Sequence, residues 1–312
     1  MTVIQLLNKS IKAAVIQMNI VQGDIAYNLA NAVKKTEEAA GNGADMICLP
    51  EAFATGVNFM QLHHIAQSVE DSEILNTMKE LAKKLQVTII FGMVEREGES
   101  KIYDSAFVVN DNGEIDGKYR RRVLWYGETS FVESSNEELE CIETKFGKIG
   151  IIIGYEIFFP ELCKKYYEEN VVMIVCVANI FKSLAEKTAI LPKARAVENQ
   201  CYFLFTSSIG THTLVSDTYM GRSAIICDKS LLPRRLVNLK EGDALVIAET
   251  KNMEDILYSK LYLNALRDSK DRYFLKDFQA YKMKQNKKDS FRRTNNEKLY
   301  EKSIYNVKSG LD

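Results

Sequence analysis

The sequence lacks an excess of either charge: 41 lysines and arginines stand against 42 aspartates and glutamates, a net charge of -1. So balanced a chain has no electrostatic footprint for nucleic acid or an anionic membrane surface. It has no apolar run approaching the 18 or more residues that a membrane-spanning helix needs. Its first ten residues carry neither a basic stretch nor a long apolar core, so no secretory leader is expected there. Only three histidines occur, His63, His64 and His212. No further ligands stand at metal-binding spacing around them, so no metal and no cofactor is expected. Six cysteines are present without a C-x-x-C pair. Most lie in apolar runs and read as buried, reduced thiols, which fits a cytoplasmic location. Internal repeats and low-complexity blocks are also missing.

What is present is an ordinary globular composition, 46% hydrophobic and 27% charged over 312 residues, enough for a large core. Ile11–Ile20 reads as a strand. Asp24 is placed to cap a helix over 25–40, with Leu29, Val33, Thr36 and Ala40 at helical spacing. Asp45–Leu49 is a short buried strand stopped by Pro50, and Glu51 follows at once. A carboxylate at the carboxyl end of a buried strand is where open α/β sheets place their chemistry. A helix is expected over 71–85 and a strand over 87–94. A hairpin, 103–110 with 114–123, turns on Asp111-Asn112-Gly113. A polar loop follows over 131–140, then a short strand over 141–144. Further on, strands are expected over 171–178, 201–207, 223–227 and 243–248, and helices over 187–200 and 252–266. The tail from about Lys282 is polar and basic and reads as a solvated extension, an arm over a partner subunit, or disorder. The basic arm Lys118–Arg122 alternates across a strand and reads as a solvated face.

The chain is organised around Gly150 to Glu161. Lys148–Ile153 is an almost unbroken β-branched strand, Gly154 breaks it into an aromatic turn, and Pro160-Glu161 opens a helix. Strand, sharp turn and helix present a nucleophile at the tip of an α/β sheet. Here the tip residue is Gly154, which has no side chain.

Several stretches together resemble the nitrilase, or carbon–nitrogen hydrolase, superfamily. They are Ala14-Val-Ile-Gln17-Met18 with Gly23-Asp24 and Asn28, Leu49-Pro50-Glu51, Gly117-Lys-Tyr119-Arg120-Arg121, Gly150–Glu161, Arg195–Gln200, Gly221-Arg-Ser223, and Arg267-Asp268 with Tyr273. The resemblance implies a four-layer αββα sandwich and a paired subunit. It also implies a hydrolase-like domain over 11–275, followed by the extension over 276–312. In that family a glutamate is the general base, a lysine stabilises the oxyanion and a cysteine thiolate attacks an amide or nitrile carbon, the usual parts of acyl transfer.

On this chain the glutamate is kept as Glu51. Arg121 stands at the lysine position and Gly154 at the cysteine position. Glu128 resembles a further glutamate that many members place beside the triad. Losing a nucleophile of this kind costs on the order of 10⁶ in rate, and a guanidinium does not replace an ammonium. Cys48, Cys163 and Cys176 are poorly placed to substitute. The expectation is therefore a catalytically inactive member acting as a binding or regulatory subunit, as a homodimer or beside an active homologue, with a possible small-molecule ligand. The alternative is an enzyme with cysteine-independent chemistry on a C–N bond, using Glu51 as base on water. Arg121 and Glu51 are expected to form a bidentate ion pair, with the arginine head filling the room Gly154 vacates. Tyr155, Phe158 and Trp125 are candidates to line the pocket.

Overall fold

The computed structural model describes residues 10–212, 216–232, 245–268, 280–281 and 283–284. The Tyr273 motif and most of the basic extension fall outside the described residues. Strands β1 (Ser10–Gln17), β2 (Met46–Cys48), β3 (Thr88–Glu97), β4 (Lys101–Val109) and β5 (Ile115–Arg120) make most of one sheet. The second is built from β6 (Ile142–Thr144), β7 (Gly147–Ile153), β8 (Met173–Ala178) and β9 (Tyr202–Ser207). After a small pair, β10 (Thr211–His212) and β11 (Asp217–Thr218), come β12 (Ala224–Ile226), β13 (Val246–Glu249) and β14 (Asp255–Tyr262). The two sheets run β14-β1-β2-β3-β4-β5 and β13-β12-β9-β8-β7-β6.

Alternation along the strands sorts the apolar residues into three layers of contact. Ala13 and Val15 of β1 face Ile149, Ile151 and Val175 of the other sheet in the central core. Ala14 and Ile16 face the opposite way, onto helices α1 (Ile25–Gly41) and α2 (Glu73–Leu85). On the far side, Ile152, Cys176 and Phe205 meet α3 (Pro160–Glu168) and α4 (Leu191–Asn199). Helix, sheet, sheet, helix is the four-layer αββα sandwich that the sequence implied.

Local chemistry sets the ends of these elements. Asp24 accepts from Tyr27 N at 3.0 Å and caps α1, and Ser72 accepts from Leu75 N at 2.9 Å and caps α2. Pro160 opens α3, where its missing N–H is no loss.

Two expected helices change. The one over 187–200 is divided into Ala185–Thr188 and α4, with the break just before Pro192. A proline there has no N–H for the Thr188 carbonyl and its ring collides with that carbonyl. The helix over 252–266 is mostly strand: β14 covers Asp255–Tyr262, and only Leu263–Asp268, here α5, is helical. Leu257 and Leu261 are both buried. Four residues apart, they suit one face of a helix and one face of a strand equally. The exposed edge of β1 decides, pairing with β14 from Ser10↔Tyr262 to Gln17↔Asp255.

Candidate functional site

The carboxyl ends of β2, β7 and β8 converge with the exit of β5, and each contributes one group. After β2 the chain turns sharply at Pro50-Glu51-Ala52, with Ala52 held at φ 42°. Gly92 of β3 makes that turn possible: a Cβ there would stand 2.6 Å from the Glu51 Cα. Its N–H donates to Pro50 O at 3.1 Å. At the exit of β5, alternation sends two consecutive arginines to opposite faces. Arg120 turns to the other face and meets the buried Glu95, at 2.6 and 3.0 Å. Arg121 turns inward, 3% exposed, among three carboxyls.

Those carboxyls belong to Glu128, Asp104 and Glu51. Arg121 holds Glu128 with both arms, Nη1 to Oε1 at 3.2 Å and Nη2 to Oε2 at 2.8 Å. Its Nη1 also reaches Asp104 Oδ2 at 3.1 Å and Glu51 Oε1 at 3.4 Å. The expected bidentate pair with Glu51 is therefore corrected: the fork grips Glu128, and Glu51 gets one long contact. Reach explains the outcome. Trp125 N donates to Glu128 Oε2 at 2.8 Å and locks that carboxylate beside the guanidinium.

The occupant of the space over Gly154 is corrected as well. A Cβ built on Gly154 would stand 2.7 Å from Glu51 Oε2 and 3.1 Å from its Oε1. The Glu51 carboxyl, not the arginine head, fills the place of the missing side chain. Asn179, just after β8, fixes it there. Its backbone N–H donates to Glu51 Oε2 at 2.5 Å and its Nδ2 to Glu51 O at 2.7 Å. Gly154 itself has φ 48°, a left-handed conformation that disfavours any side chain.

A second buried carboxyl fastens this arrangement. Glu156 accepts from Ile153 N at 2.8 Å, Arg122 N at 2.7 Å, Val123 N at 3.1 Å and the Tyr119 hydroxyl at 2.9 Å. It thereby ties the exit of β5 to the turn at Gly154. Burial pushes the Glu156 pKa up, and those donors partly offset it. Burial, and next the neighbouring Asp104, raise the Glu51 pKa well above the ordinary carboxylate range, against the pull of Arg121. Burial raises Glu128 too. Arg121 loses solvation, but Glu128, Glu51 and Asp104 more than compensate and hold it charged.

Cys48, Cys163 and Cys176 each pack away from Glu51 and Arg121. Cys48 faces the central core, and burial drives its pKa far up. Cys163 lies on the buried face of α3, its thiol pushed up to about 12 by burial. Cys176 comes within hydrogen-bond reach of the Gly154 backbone, but from the helix side of the sheet, and burial again holds it well above a reactive range. Among the described residues no group of three or more His, Cys, Asp or Glu is placed to hold a metal ion.

Glu51, Arg121, Glu128 and Gly154 thus meet as the sequence implied. Tyr155 and Phe158 lie in the turn after Gly154, rings 5.3 Å apart. Trp125 is half-exposed, folded over Gly127 beside Glu128. Asp104, Asn179 and Glu156 were not singled out as site residues. One signal was available for Asp104: it shares a strand face with Ala106 and Val108, a lone acid on an apolar stripe.

The profile of the carbon–nitrogen hydrolase family matches residues 12–230. The chain belongs to the carbon–nitrogen hydrolase family. It is 31% identical over 225 residues to a nitrilase of Pyrococcus abyssi, covering 70% of this chain and 82% of that protein. It is 28% identical over 257 residues to nitrilase homolog 2 of Dictyostelium discoideum, covering 78% and 73%. The fold matches the crystal structure of Saccharomyces cerevisiae Nit3, a nitrilase-superfamily member, with a TM-score of 0.70 at 22% identity over 85% of this chain and 95% of that one. An amidase from Nesterenkonia gives 0.70 at 17% identity over 86% and 95%.

Proposed function

We propose that this carbon–nitrogen hydrolase-family protein is catalytically inactive as a cysteine hydrolase and works as a binding or regulatory subunit. The observation that carries the reading is the Glu51 carboxyl lying where a Gly154 side chain would begin. Glycine cannot form an acyl intermediate, and the general base occupies the nucleophile's place. A variant of the Nesterenkonia amidase adds the acetamide moiety of fluoroacetamide at an active-site cysteine; here no such atom is available. The positive charge is committed as well. Arg121 is spread over Glu128, Asp104 and Glu51, so its fork is not free to meet a developing oxyanion. Glu51 is also badly placed to activate water, since Oε1 faces Arg121 and Oε2 accepts from Asn179 N.

The reading includes a pairing role, as a homodimer or beside an active homologue, and a cytoplasmic location. Among the described residues no helix is long and apolar enough to cross a membrane. The test is ammonia release from a panel of amides, carbamoyl amines and nitriles, with wild type beside Glu51→Gln. The expected result is no release above the buffer blank from either protein. Release by wild type that disappears in Glu51→Gln would overturn the reading and make the chain a cysteine-independent hydrolase.

A further inference from the structure

The second sheet carries a recess that shares no residue with the site at Glu51. Phe205, Ala224 and Glu249 lie opposite one another on β9, β12 and β13. Ala224 is the small member of that row, and its methyl leaves a hollow beside Phe205. Thr188, Ala189 and Pro192 also line it, and there the helical cover is broken between Thr188 and Leu191. The empty volume is about 290 Å³, its open mouth included. The enclosed part takes roughly one water-sized group.

The floor is apolar. Phe205, Met220, Ala224 and Ile226 are all buried. Thr188 brings a buried hydroxyl, but that group is satisfied: Oγ1 donates to Leu184 O at 2.9 Å and meets Met220 Sδ at 2.9 Å. Such a floor takes an aliphatic group and offers nothing to a polar one. The charged residues lining the recess are Lys193, Arg222 and Glu249. Arg222 and Glu249 meet through one long contact, Nε to Oε1 at 3.6 Å, with side chains 44% and 40% exposed. Among the described residues this is the one ion pair that Arg222 makes, so its Nη groups lack an anion. Two cations against one anion leave one positive charge in excess. The backbone fixes Arg222 in place. Its φ is 59°, a left-handed conformation that a non-glycine residue keeps only where its surroundings hold it. Gly221 N donates to Ser208 O at 3.0 Å on one side, and Ser223 N to Gln17 Oε1 at 2.9 Å on the other.

We infer that this recess binds a short aliphatic carboxylate of about two to four carbons, its alkyl end against Phe205 and Met220 and its carboxylate on Arg222 and Lys193. A carboxylate supplies the one negative charge that the lining cations leave unmatched, and a guanidinium donates to both carboxylate oxygens side by side. An ammonium would meet two like charges. A neutral amide would leave the excess charge as it stands. A dicarboxylate would bring its second acid against the apolar floor or Glu249. Longer chains exceed the enclosed part of the recess. This binding does not depend on the reading of the Glu51 site, because none of the residues that carry it belongs there.

The test follows the Met220 methyl by proton–carbon NMR of the full chain, labelled at its methionine methyl groups, with Met220→Leu to assign the signal. The probes are propionate and butyrate. Propionamide, propylammonium and chloride, at equal ionic strength, are the comparators. The expected result is a saturable shift of the Met220 signal with a carboxylate, at a Kd on the order of 1 mM for so small a ligand. The comparators give no saturable shift over the same range. Arg222→Gln and Lys193→Gln each weaken binding about two- to fivefold, the modest factor that partly exposed charges allow. Glu249→Gln removes the competing anion and tightens binding by a similar factor. Ala224→Leu fills the hollow and abolishes the shift, and the charge variants decide the matter if that variant fails to fold. No saturable Met220 shift with either carboxylate, an equal response to chloride or propionamide, or unchanged affinity in Arg222→Gln would overturn the inference. Ammonia release tests the Glu51 site alone, so either result there leaves this one standing.

Discussion

Replacing Gly154 with alanine tests how the site is filled. Glycine to alanine at a compatible backbone position usually stabilises by about 0.4–1 kcal/mol, through the unfolded state. Here the sign reverses. The new Cβ stands 2.7 Å from Glu51 Oε2 and 3.1 Å from Oε1, at φ 48°. A left-handed non-glycine residue costs about 1–2 kcal/mol. Glu51 must also move, giving up the Asn179 N–H and the Arg121 contact, for about 1–3 kcal/mol more. The sum is a destabilisation of about 2–5 kcal/mol, a large part of the total stability expected of a domain. For a chain of this size that is roughly 2 °C of melting temperature per kcal/mol. Scanning calorimetry is expected to show Gly154→Ala melting about 4–10 °C below wild type. Gly154→Cys shifts the same way and still releases no ammonia, because Arg121 remains engaged by Glu128 and Asp104. A melting temperature unchanged or raised in Gly154→Ala would show that Glu51 is not held in that space, and the account of the site would fail.

Arg121→Lys loses the two-armed grip on Glu128 and leaves the carboxyls partly unmet, an expected cost of about 1–3 kcal/mol by urea unfolding. An unchanged urea midpoint would refute the clamp. Glu156→Gln turns an amide toward the N–H groups of Ile153, Arg122 and Val123. It should cost about as much, whereas a neutral result would show that Glu156 fastens nothing. The pH dependence has two limbs. Glu51, Glu128 and Glu156, all raised by burial, contribute stability that is full at acidic pH and lost as pH rises through their folded values. Glu95 is the reverse: burial raises it, but the bonds from Arg120, Lys118 and Ser105 win, so its contribution is lost as pH falls. Glu51→Gln should therefore flatten the alkaline limb by up to about 1.4 kcal/mol per pH unit and leave the acid limb alone. Thiol titration of the native chain should find no fast-reacting cysteine among Cys48, Cys163 and Cys176, with Cys141, held near 11 mainly by burial, the first to react. Rapid labelling of Cys176 would reopen the question of a replacement nucleophile.

Much of the fold was legible because its signals are local. The β-branched run into Gly154, the Asp24 cap and the Asp111-Asn112-Gly113 turn each act within a few residues. The 252–266 segment suits helix and strand alike because its two buried leucines fit both periods, and only the free edge of β1, more than 200 positions away in sequence, chooses between them. The site divides in the same way. Glu51, Arg121, Glu128 and Gly154 were found through ordered motifs. Asp104 and Asn179 lie in stretches that read as strand and strand end, and their part depends on which side chains face them across the sandwich.

That facing geometry also makes Gly154 and Arg121 depend on each other. Glu51 can lie over Gly154 because no Cβ is present, and from there Oε1 reaches Arg121 and Oε2 reaches Asn179 N. A lysine at 121 has one compact head and could not hold Glu128 with two parallel bonds while touching Asp104 and Glu51 as well. Equally, with a side chain on Gly154 the Glu51 carboxyl would be displaced, and the fork would lose its third partner. Each residue removes the obstacle to the other. Glu51, Arg121 and the space over Gly154 thus satisfy one another.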